Sequence, residues 1–539
     1  MKALVLIIVI LRIGSGLFAQ TPHIENTPDL EILAVLEHRA PSTEFGTHTC
    51  GIGDINQDGY DDFVVGALED SVTHIRRAYI YYGGNPPDTI PDRVLRQGYP
   101  NAGFEISTVG DVNGDGYGDF IIGEPGWAPV DTFAYNPGRA KLYFGGAAFD
   151  TIPDMIFRGP DNSNAFGGLG KRLSHGDVNG DGFDDVLISD YIFGRPSVGK
   201  VYLYFGGPLL DSIPDWTKVG WSTWRDSMMW FGYKSALADV NSDGYSDILI
   251  TGLHASHPPD STYLAIFLGG TTPDTLPDYE FTFSRYGSPA FASLVAQDYN
   301  ADGVGDFTVQ KYHTDLYLGG APLDTVPDVI FDPGALHINR LWENAGDVNG
   351  DGYPDILVSS PVDNRVGLYL GGNPMNGTLD WIAEGYHLGN AISGAGDVNG
   401  DGYDDFLVSA LLEYGTSLDF GRVFVIAGSP ALKDLGTAVS PEGTEIPTHL
   451  ELQPAYPNPF NAQTIISFTL PTQQKITLRI LDLQGHEIAT LVHGMRSPGE
   501  YRMVWDGRET DSAPVASGLY FAVLQTSTAY QVRKLVLLK

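Results

Sequence analysis

A nine-residue pattern, Asp-x-Asn-x-Asp-Gly-x-x-Asp, occurs seven times in this chain, beginning at Asp54, Asp111, Asp177, Asp239, Asp298, Asp347 and Asp397, at intervals of 49 to 66 residues. Each copy sits in a longer unit, seen in residues 104–146: an apolar strand, the acidic loop, a second apolar strand, a variable loop, and an aromatic-alternating strand that ends in Gly145-Gly146. A unit of a few short strands cannot bury both of its faces alone. Stacked at this period around a closed ring, such units can, so the repeats predict a toroid of small sheets.

The loops carry their own chemistry. Oxygen side chains at alternate positions, with Gly at the sixth to allow a sharp turn, wrap around a hard cation that takes six or seven oxygens. In the first loop Asp54, Asn56, Asp58 and Asp62 offer side chains and Tyr60 its carbonyl. The second and third offer Asp111, Asn113, Asp115, Tyr117 and Asp119, then Asp177, Asn179, Asp181, Phe183 and Asp185. The fourth and fifth offer Asp239, Asn241, Asp243, Tyr245 and Asp247, then Asp298, Asn300, Asp302, Val304 and Asp306. The last two offer Asp347, Asn349, Asp351, Tyr353 and Asp355, then Asp397, Asn399, Asp401, Tyr403 and Asp405. Three carboxylates in so short a loop repel one another unless a cation lies among them, and the absence of His and Cys disfavours zinc. Up to seven structural calcium ions are expected. An EF-hand or dockerin loop is excluded: it needs a bidentate Glu at position twelve and flanking helices, whereas Val65, Ile122, Ile188, Ile250, Val309, Val358 and Val408 stand there, in strand patterns.

The units resemble FG-GAP repeats, the modules of integrin-α N-terminal β-propellers. Phe45-Gly46 and Gly66-Ala67-Leu68 match the family's namesake elements in the first unit, and Phe166-Gly167 and Phe231-Gly232 match in the third and fourth. Phe104-Glu105 and Phe291-Ala292 depart from the pattern, and the last two units lack a Phe-Gly pair. The resemblance implies a seven-bladed β-propeller with calcium-binding loops over residues 21–430.

A second phrase recurs between units: Asp88-Thr89-Ile90-Pro91-Asp92, then residues 150–154, 211–215, 274–278 and 324–328, each before a short apolar strand such as Met155-Ile156-Phe157. No such phrase follows the seventh unit's strand at Arg422 to Ala427, but Asn26-Thr27-Pro28-Asp29 precedes Leu30 to Leu36. The N-terminal strand is therefore expected to complete the seventh blade and leave no open edge. In an up-and-down blade the acidic loops and the Asp-rich phrases then share one face. The opposite face takes the irregular loops, including the stretch that holds Trp216, Trp221, Trp224, Met228, Met229 and Trp230. That stretch suits either packing between blades or contact with a carbohydrate or protein.

The ends read differently. Met1-Lys2, the apolar run Ala3 to Leu11 and the small residues to Gln20 have the form of a signal peptide, expected at 1–20, and nothing else is long and apolar enough to cross a bilayer. One cysteine, Cys50, rules out a disulfide scaffold and suits a buried apolar position. The net charge of −36 argues against nucleic-acid and anionic-membrane partners. From Glu451 to Lys539 there are eight Lys or Arg against seven Asp or Glu, so the negative charge belongs to the repeats, and residues 431–450 read as a linker.

Residues 451–539 alternate as strands at Thr464 to Leu470, Lys475 to Leu481, Glu500 to Trp505, Gly518 to Leu524 and Gln531 to Leu538, which fits a small immunoglobulin-like β-sandwich. Tyr456-Pro457-Asn458-Pro459-Phe460-Asn461, Leu481-Asp482-Leu483-Gln484-Gly485, Ala516 to Tyr520 and the basic end Arg533 to Lys539 resemble the C-terminal sorting domain of type IX secretion substrates. Related sandwiches cap flagellar hook-assembly proteins. The resemblance implies export through a bacterial outer membrane, with release or attachment at the cell surface and the secretion machinery as partner.

No catalytic constellation emerges. Thr490 stands where a zinc-protease helix beginning at His486-Glu487 would need its second His, and there is no nucleophile elbow, P-loop or dinucleotide turn. The expected protein is a monomeric, calcium-stabilised, secreted or surface-displayed binding protein for a protein or carbohydrate ligand. The alternatives are a propeller enzyme acting on polysaccharide through residues at the ring axis, with Lys171, Arg172 and His175 as an isolated basic cluster, and a scaffold without a ligand of its own.

Overall fold

The structure, a computed structural model, describes residues 24–25, 31–37, 44–68, 76–97, 105–126, 137–160, 168–194, 197–220, 230–254, 261–284, 293–310, 314–320, 323, 326–331, 341–385, 387–411, 421–432, 450–452, 458, 460, 464–470, 474–496, 499–505, 507–508, 515–526 and 529–538. The signal-peptide reading and residues 433–449 of the linker reading fall outside them. The chain divides into two compact units, Met1–Thr437 and Ala438–Lys539.

The first unit is a seven-bladed β-propeller. Blade one is an antiparallel sheet of Glu44–Gly53, Asp62–Leu68, Arg76–Tyr81 and Arg93–Gln97, in chain order across the sheet, and blades two to six repeat that order. Blade seven takes Leu388–Gly396, Asp405–Ala410 and Arg422–Ile426 from one end of the repeats and Ile32–Glu37 from the other, with Leu36 opposite Val423. The N-terminal strand thus closes the ring as its sequence predicts, beginning two residues later than expected. A further short strand, Ile24–Glu25, extends the edge of blade six at Trp381–Gly385.

The second strand of each blade lies between two neighbouring blades and reads as a nearly continuous apolar run: Asp62–Leu68, Asp119–Glu124, Asp185–Asp190, Asp306–Gln310, Asp355–Ser360 and Asp405–Ala410 are buried at every position. The core is correspondingly divided into seven seams. Ile52, Val64 and Ile80 of blade one pack with Ile106, Phe120 and Tyr143 of blade two, and equivalent clusters occupy the other boundaries. The closing seam joins Leu36, Leu407 and Val425 of blade seven to Phe45, Phe63 and Tyr79 of blade one. The first strands contact one another in ring order and line the axis.

Two readings of the repeat signals change. In blades one and four the glycine after the large apolar residue has a left-handed backbone, with φ of 89° at Gly46 and 86° at Gly232. A Cβ there would meet Val423 Cγ2 at 2.9 Å or Val201 Cγ1 at 2.8 Å on the preceding blade. In blade three this job falls to Leu169-Gly170, with φ of 91° and Gly123 Cα 2.9 Å from where its Cβ would be, while Phe166-Gly167 lies outside the described residues. Blade seven uses Leu388-Gly389 in the same way. The position demands glycine after any large apolar residue. Blade six also has a disguised outer phrase, Asn376-Gly377-Thr378-Leu379-Asp380, before its strand Trp381–Gly385. Asp380 Oδ2 accepts the Leu370 N–H at 2.8 Å, as Asp92 Oδ2 accepts that of Tyr82 at 2.9 Å.

The second unit is a sandwich of two antiparallel sheets. One orders Glu451–Leu452, Thr464–Leu470 and Gly499–Trp505; the other orders Glu487–Arg496, Gln474–Leu481, Gly518–Thr526 and Tyr530–Leu537. Its core gathers Phe460, Phe468, Leu478, Trp505, Tyr520, Leu524 and Leu535. Asn458 binds the last strand twice, accepting from Val536 N at 2.8 Å and donating to Lys534 O at 2.7 Å. Asp482 Oδ1 accepts the Gln484 and His486 N–H groups, both at 2.8 Å, around Gly485 at φ 83°. The Asn-Pro and Asp-Leu-Gln-Gly motifs of the sequence are thus structural pins of this unit.

Candidate functional site

All seven acidic loops share one backbone turn and one set of aspartate contacts. Their sixth-position glycines, from Gly59 to Gly402, have φ between 87° and 93°, the conformation a side chain would resist. In the first loop Asp54 Oδ2 accepts Gly59 N at 2.9 Å, Asn56 Oδ1 accepts Asp58 N at 2.8 Å and Asp58 Oδ1 accepts Tyr60 N at 3.1 Å. The ninth residue behaves differently from the other two aspartates: Asp62 is fully buried, and its two oxygens accept Ile55 N at 3.1 Å and Gly83 N at 2.8 Å. Asp119, Asp185, Asp247, Asp306, Asp355 and Asp405 repeat both bonds.

The Gly-Gly that ends each third strand, unexplained by sequence, is the partner of this aspartate and the clasp between blades. Its first N–H reaches the ninth Asp of its own blade. Its second donates to the preceding blade's loop: Gly146 to Ile55 O at 2.7 Å, Gly207 to Val112 O at 2.6 Å, and so on through Gly270, Gly320, Gly372 and Ser429. Position eight adds a second tie in the first and seventh loops, where Asp61 Oδ2 accepts Asp397 N at 2.9 Å and Asp404 Oδ2 accepts Asp347 N at 2.7 Å.

Among the described residues no three His, Cys, Asp or Glu side chains are already gathered as a metal cluster; the loop carboxylates rest on backbone N–H groups. The donor set nevertheless fits a hard cation. It is all oxygen, both oxygens of the ninth aspartate keep a second lone pair beyond their single N–H partner, and in the seventh loop the buried Asn399 Oδ1 has no hydrogen-bond partner. Burial, with Asp58 and Asp54 adding their charges, pushes the Asp62 carboxyl up to about 8. Burial together with the same loop neighbours moves its counterparts to about 7 or 8. Asp54, Asn56, Asp58, Asp62 and the Tyr60 carbonyl, with their equivalents, would hold the ion.

The axis forms a second polar site that sequence reasoning located only in part. The first-strand residues opposite Gly66, Gly123, Ser189 and Thr251 are His48, Glu105, Arg172 and Lys234, one charged or titratable group on each of four consecutive blades. Arg172 Nη1 donates to Glu105 Oε2 at 2.9 Å across a seam, and Lys234 Nζ lies 3.7 Å from Glu343 Oε1, joining blades four and six. Two residues further along the first three of these strands stand Cys50, Ser107 and Ser174, with Ser174 Oγ 2.9 Å from Ser235 Oγ, and at the same register on blade six stands Glu343. Glu343 keeps 39% of its side-chain surface exposed. Burial raises its carboxyl, opposed by Lys234. Burial also pushes the Cys50 thiol up to about 12, which keeps it protonated and unreactive. His175, grouped with Lys171 and Arg172 by sequence, instead faces Asp184 at 3.4 Å.

The tryptophans separate. Trp216 is 5% exposed, donates Nε1–H to Asp274 O at 2.7 Å and packs edge-on against Phe267 in a seam. Trp230 stays half-buried at the loop face, and Trp221, Trp224, Met228 and Met229 lie outside the described residues.

Comparison with known families agrees with this geometry. The FG-GAP repeat model matches residues 103–143 and 170–204, and the FG-GAP-like repeat model matches 347–408. These blades carry FG-GAP repeats. The FG-GAP region is similar to Xenopus laevis integrin alpha-5, at 27% identity over 210 residues, 38% of this chain and 19% of that protein. It is also similar to mouse phosphatidylinositol-glycan-specific phospholipase D, at 30% over 346 residues, 58% of this chain and 39% of that protein. Drosophila melanogaster integrin alpha-PS2 is 35% identical over 188 residues, 31% of this chain and 12% of that protein. The chain therefore spans less than half the length of these relatives. Residues 458–529 match the FlgD Ig-like domain, and among the described residues no helix is long and apolar enough to cross a membrane.

Proposed function

We infer that the protein is an extracellular, calcium-stabilised binding propeller that works in adhesion or ligand capture. The observation that carries this is the seven-fold repetition of one all-oxygen loop geometry on a ring similar to integrin α chains. A bound calcium would supply the positive charge that the loop carboxylates lack. The chain's own residues do the rest: the ninth aspartates pin each loop to its Gly-Gly clasp, the clasps tie blade to blade, and the ring holds the opposite face rigid for a ligand.

The C-terminal unit is read as a sorting domain of the type IX kind, which makes the protein a bacterial surface or secreted product. The features behind this reading are the double anchor of Asn458 on the final strand and the pinned Asp482 turn. Truncation after residue 450 should leave the propeller folded but retained inside the cell; undiminished export would refute the sorting role.

Calcium titration of the chelated mature chain, following melting temperature and bound metal, tests the core of the reading. Near seven ions and a large upward shift are expected, whereas few ions and no shift would defeat it.

A second reading, a propeller enzyme acting on polysaccharide, is favoured by the axial set of His48, Glu105, Lys234 and Glu343. Its test is turnover on a polysaccharide panel. Activity lost in Glu343→Gln, with melting unchanged, would establish it over the binding role.

A further inference from the structure

Blades three and four meet, at the ends of their strands away from the acidic loops, in a patch that gathers aromatic rings and lysines. Lys171 and Arg172 stand at the start of blade three's first strand, Lys200 opens its third, Tyr191 follows its second, and Tyr233 and Lys234 stand at the start of blade four's first. Tyr191 and Tyr233 meet edge-on with centroids 5.1 Å apart, and Trp230 stacks on Tyr233 at 6.2 Å and 20°. Lys171 Nζ lies 5.4 Å from the Tyr191 ring, and Lys200 Nζ lies 4.4 Å over Tyr202 and 5.8 Å from Phe193.

The charges in this patch are unequally used. Arg172 is committed: it donates to Glu105 at 2.9 Å, to Lys171 O at 2.9 Å and to Tyr233 O at 3.2 Å, with its guanidinium between the two tyrosines. Neither lysine Nζ has an ion pair or hydrogen bond among the described residues. The acid whose charge both lysines feel is Asp190, which is fully buried and stands opposite Lys200 in its hairpin; burial raises its carboxyl and lowers both lysines, and the attraction between them opposes both shifts. In a chain of net charge −36 this is a local site where an anion meets cations.

Trp230 gives the second, independent observation. It has φ of 43°, a left-handed conformation that a bulky residue adopts only when its surroundings impose it. Its N–H donates to Ser197 O at 3.2 Å, and its ring is held on Tyr233 while staying half-buried. A residue needed only to fill a seam would be covered, as Trp216 is at 5% exposure. The strained backbone of Trp230 instead holds a rigid aromatic face at the surface beside two uncommitted lysines.

We propose that this patch binds a carboxylated polysaccharide, a chain containing uronate sugars, with Trp230, backed by Tyr233, stacking on a sugar ring and Lys171 and Lys200 taking the carboxylates. This rests on the ligand-binding reading above and names its ligand class and face. Aromatic faces suit the C–H side of a pyranose, and the lysine ammonium is a compact point charge that suits a single carboxylate. Sulfate or phosphate esters favour the arginine fork, and the arginine here is already engaged by Glu105.

Calorimetric titration of the full mature chain at fixed calcium tests the proposal, with hexagalacturonate as probe and with neutral and sulfated oligosaccharides of the same length beside it. Hexagalacturonate should bind more tightly than either. The double variant Lys171→Gln/Lys200→Gln and the single variant Trp230→Ala should each weaken binding at least tenfold. Trp230→Phe should keep much of it, and Leu209→Ala, at an exposed position in a loop on the other face, should leave it unchanged. Melting curves of each variant separate loss of binding from loss of fold. Equal binding of the neutral or sulfated probe, or binding insensitive to these substitutions, would overturn the assignment. A protein ligand captured with the same affinity by wild type and by Trp230→Ala, without uronate binding, would overturn it while leaving the ligand-binding reading intact; no ligand of any class would overturn both.

Discussion

The Gly84 N–H donates to Val398 O at 2.8 Å, joining the first blade's clasp to the seventh blade's acidic loop by the bond that links every other neighbouring pair. The two residues come from opposite ends of the repeats, so this bond forms only once the ring has closed. Beside it, a Cβ on Gly83 would meet Asp61 O at 2.5 Å, Tyr60 Cβ at 2.6 Å and Val398 O at 2.8 Å, whereas one on Gly84 would find only Pro86 O at 3.8 Å. Gly83→Ala should therefore destabilise by about 2 to 3 kcal/mol, since backbone must move, and Gly84→Ala by less than about 0.5. Denaturant unfolding of the two variants checks the contrast; equal effects would mean the seam is looser than its geometry.

The N-terminal strand bears the same closure from the other edge. Leu36 is fully buried among Leu407, Val423 and Val425, and Glu37 is paired with Arg422. Leu36→Ala should cost about 3 kcal/mol. Deleting residues 25–40 should do more, because it also exposes the N–H and C=O row of Arg422–Ile426 as an open edge. A truncated chain that melts like the full one and stays monomeric would show that the ring does not depend on this strand.

Much of this was legible in the sequence because the acidic loop is a local signal repeated seven times, which gives the position and spacing of the blades, and because the displaced outer phrase Asn26-Thr27-Pro28-Asp29 gives the ring closure. The Gly-Gly clasp was visible as a strand ending but its job was not, since Gly83 and Asp62 meet only through the fold. Blade six's outer phrase escaped because Asn376 replaces the first Asp and no proline is present, while Asp380 keeps its contact. The axial set was hidden for a different reason. His48, Glu105, Arg172 and Lys234 share no motif, and only the register of four separate hairpins brings them to one level.

The loop aspartates should divide by role. Asp62→Ala leaves the buried Ile55 and Gly83 N–H groups without acceptors, so it should destabilise by about 2 to 4 kcal/mol even in chelator. Asp58 is exposed and, among the described residues, its carboxylate accepts only the Tyr60 N–H, so Asp58→Asn should change melting in chelator by less than about 0.5 kcal/mol equivalent. With calcium present, Asp58→Asn should lose part of the stabilisation that wild type gains. At a free ion concentration 100-fold above dissociation that gain is about 2.7 kcal/mol per site. Differential scanning calorimetry with and without calcium reads both effects; a calcium response unaltered by Asp58→Asn would remove that residue from the ligand set.

His48 gives the axis a pH signature. Burial lowers its pKa from 6.5 to about 4, with the charges of Arg76 and Arg172 helping and Glu105 opposing. The folded chain therefore keeps this imidazole neutral between those values while the unfolded chain takes up a proton. By linkage, the stability His48 contributes is fully present above about pH 6.5 and is lost as pH falls toward 4. His48→Gln, which cannot titrate, should flatten the part of the stability curve between pH 6.5 and 4 relative to wild type, after any constant offset at pH 8 is subtracted. The comparison is best made with calcium saturating, so that the loop carboxylates do not add a slope of their own. Urea unfolding at half-unit pH steps gives the two curves, and parallel curves would place His48 in an environment no different from water.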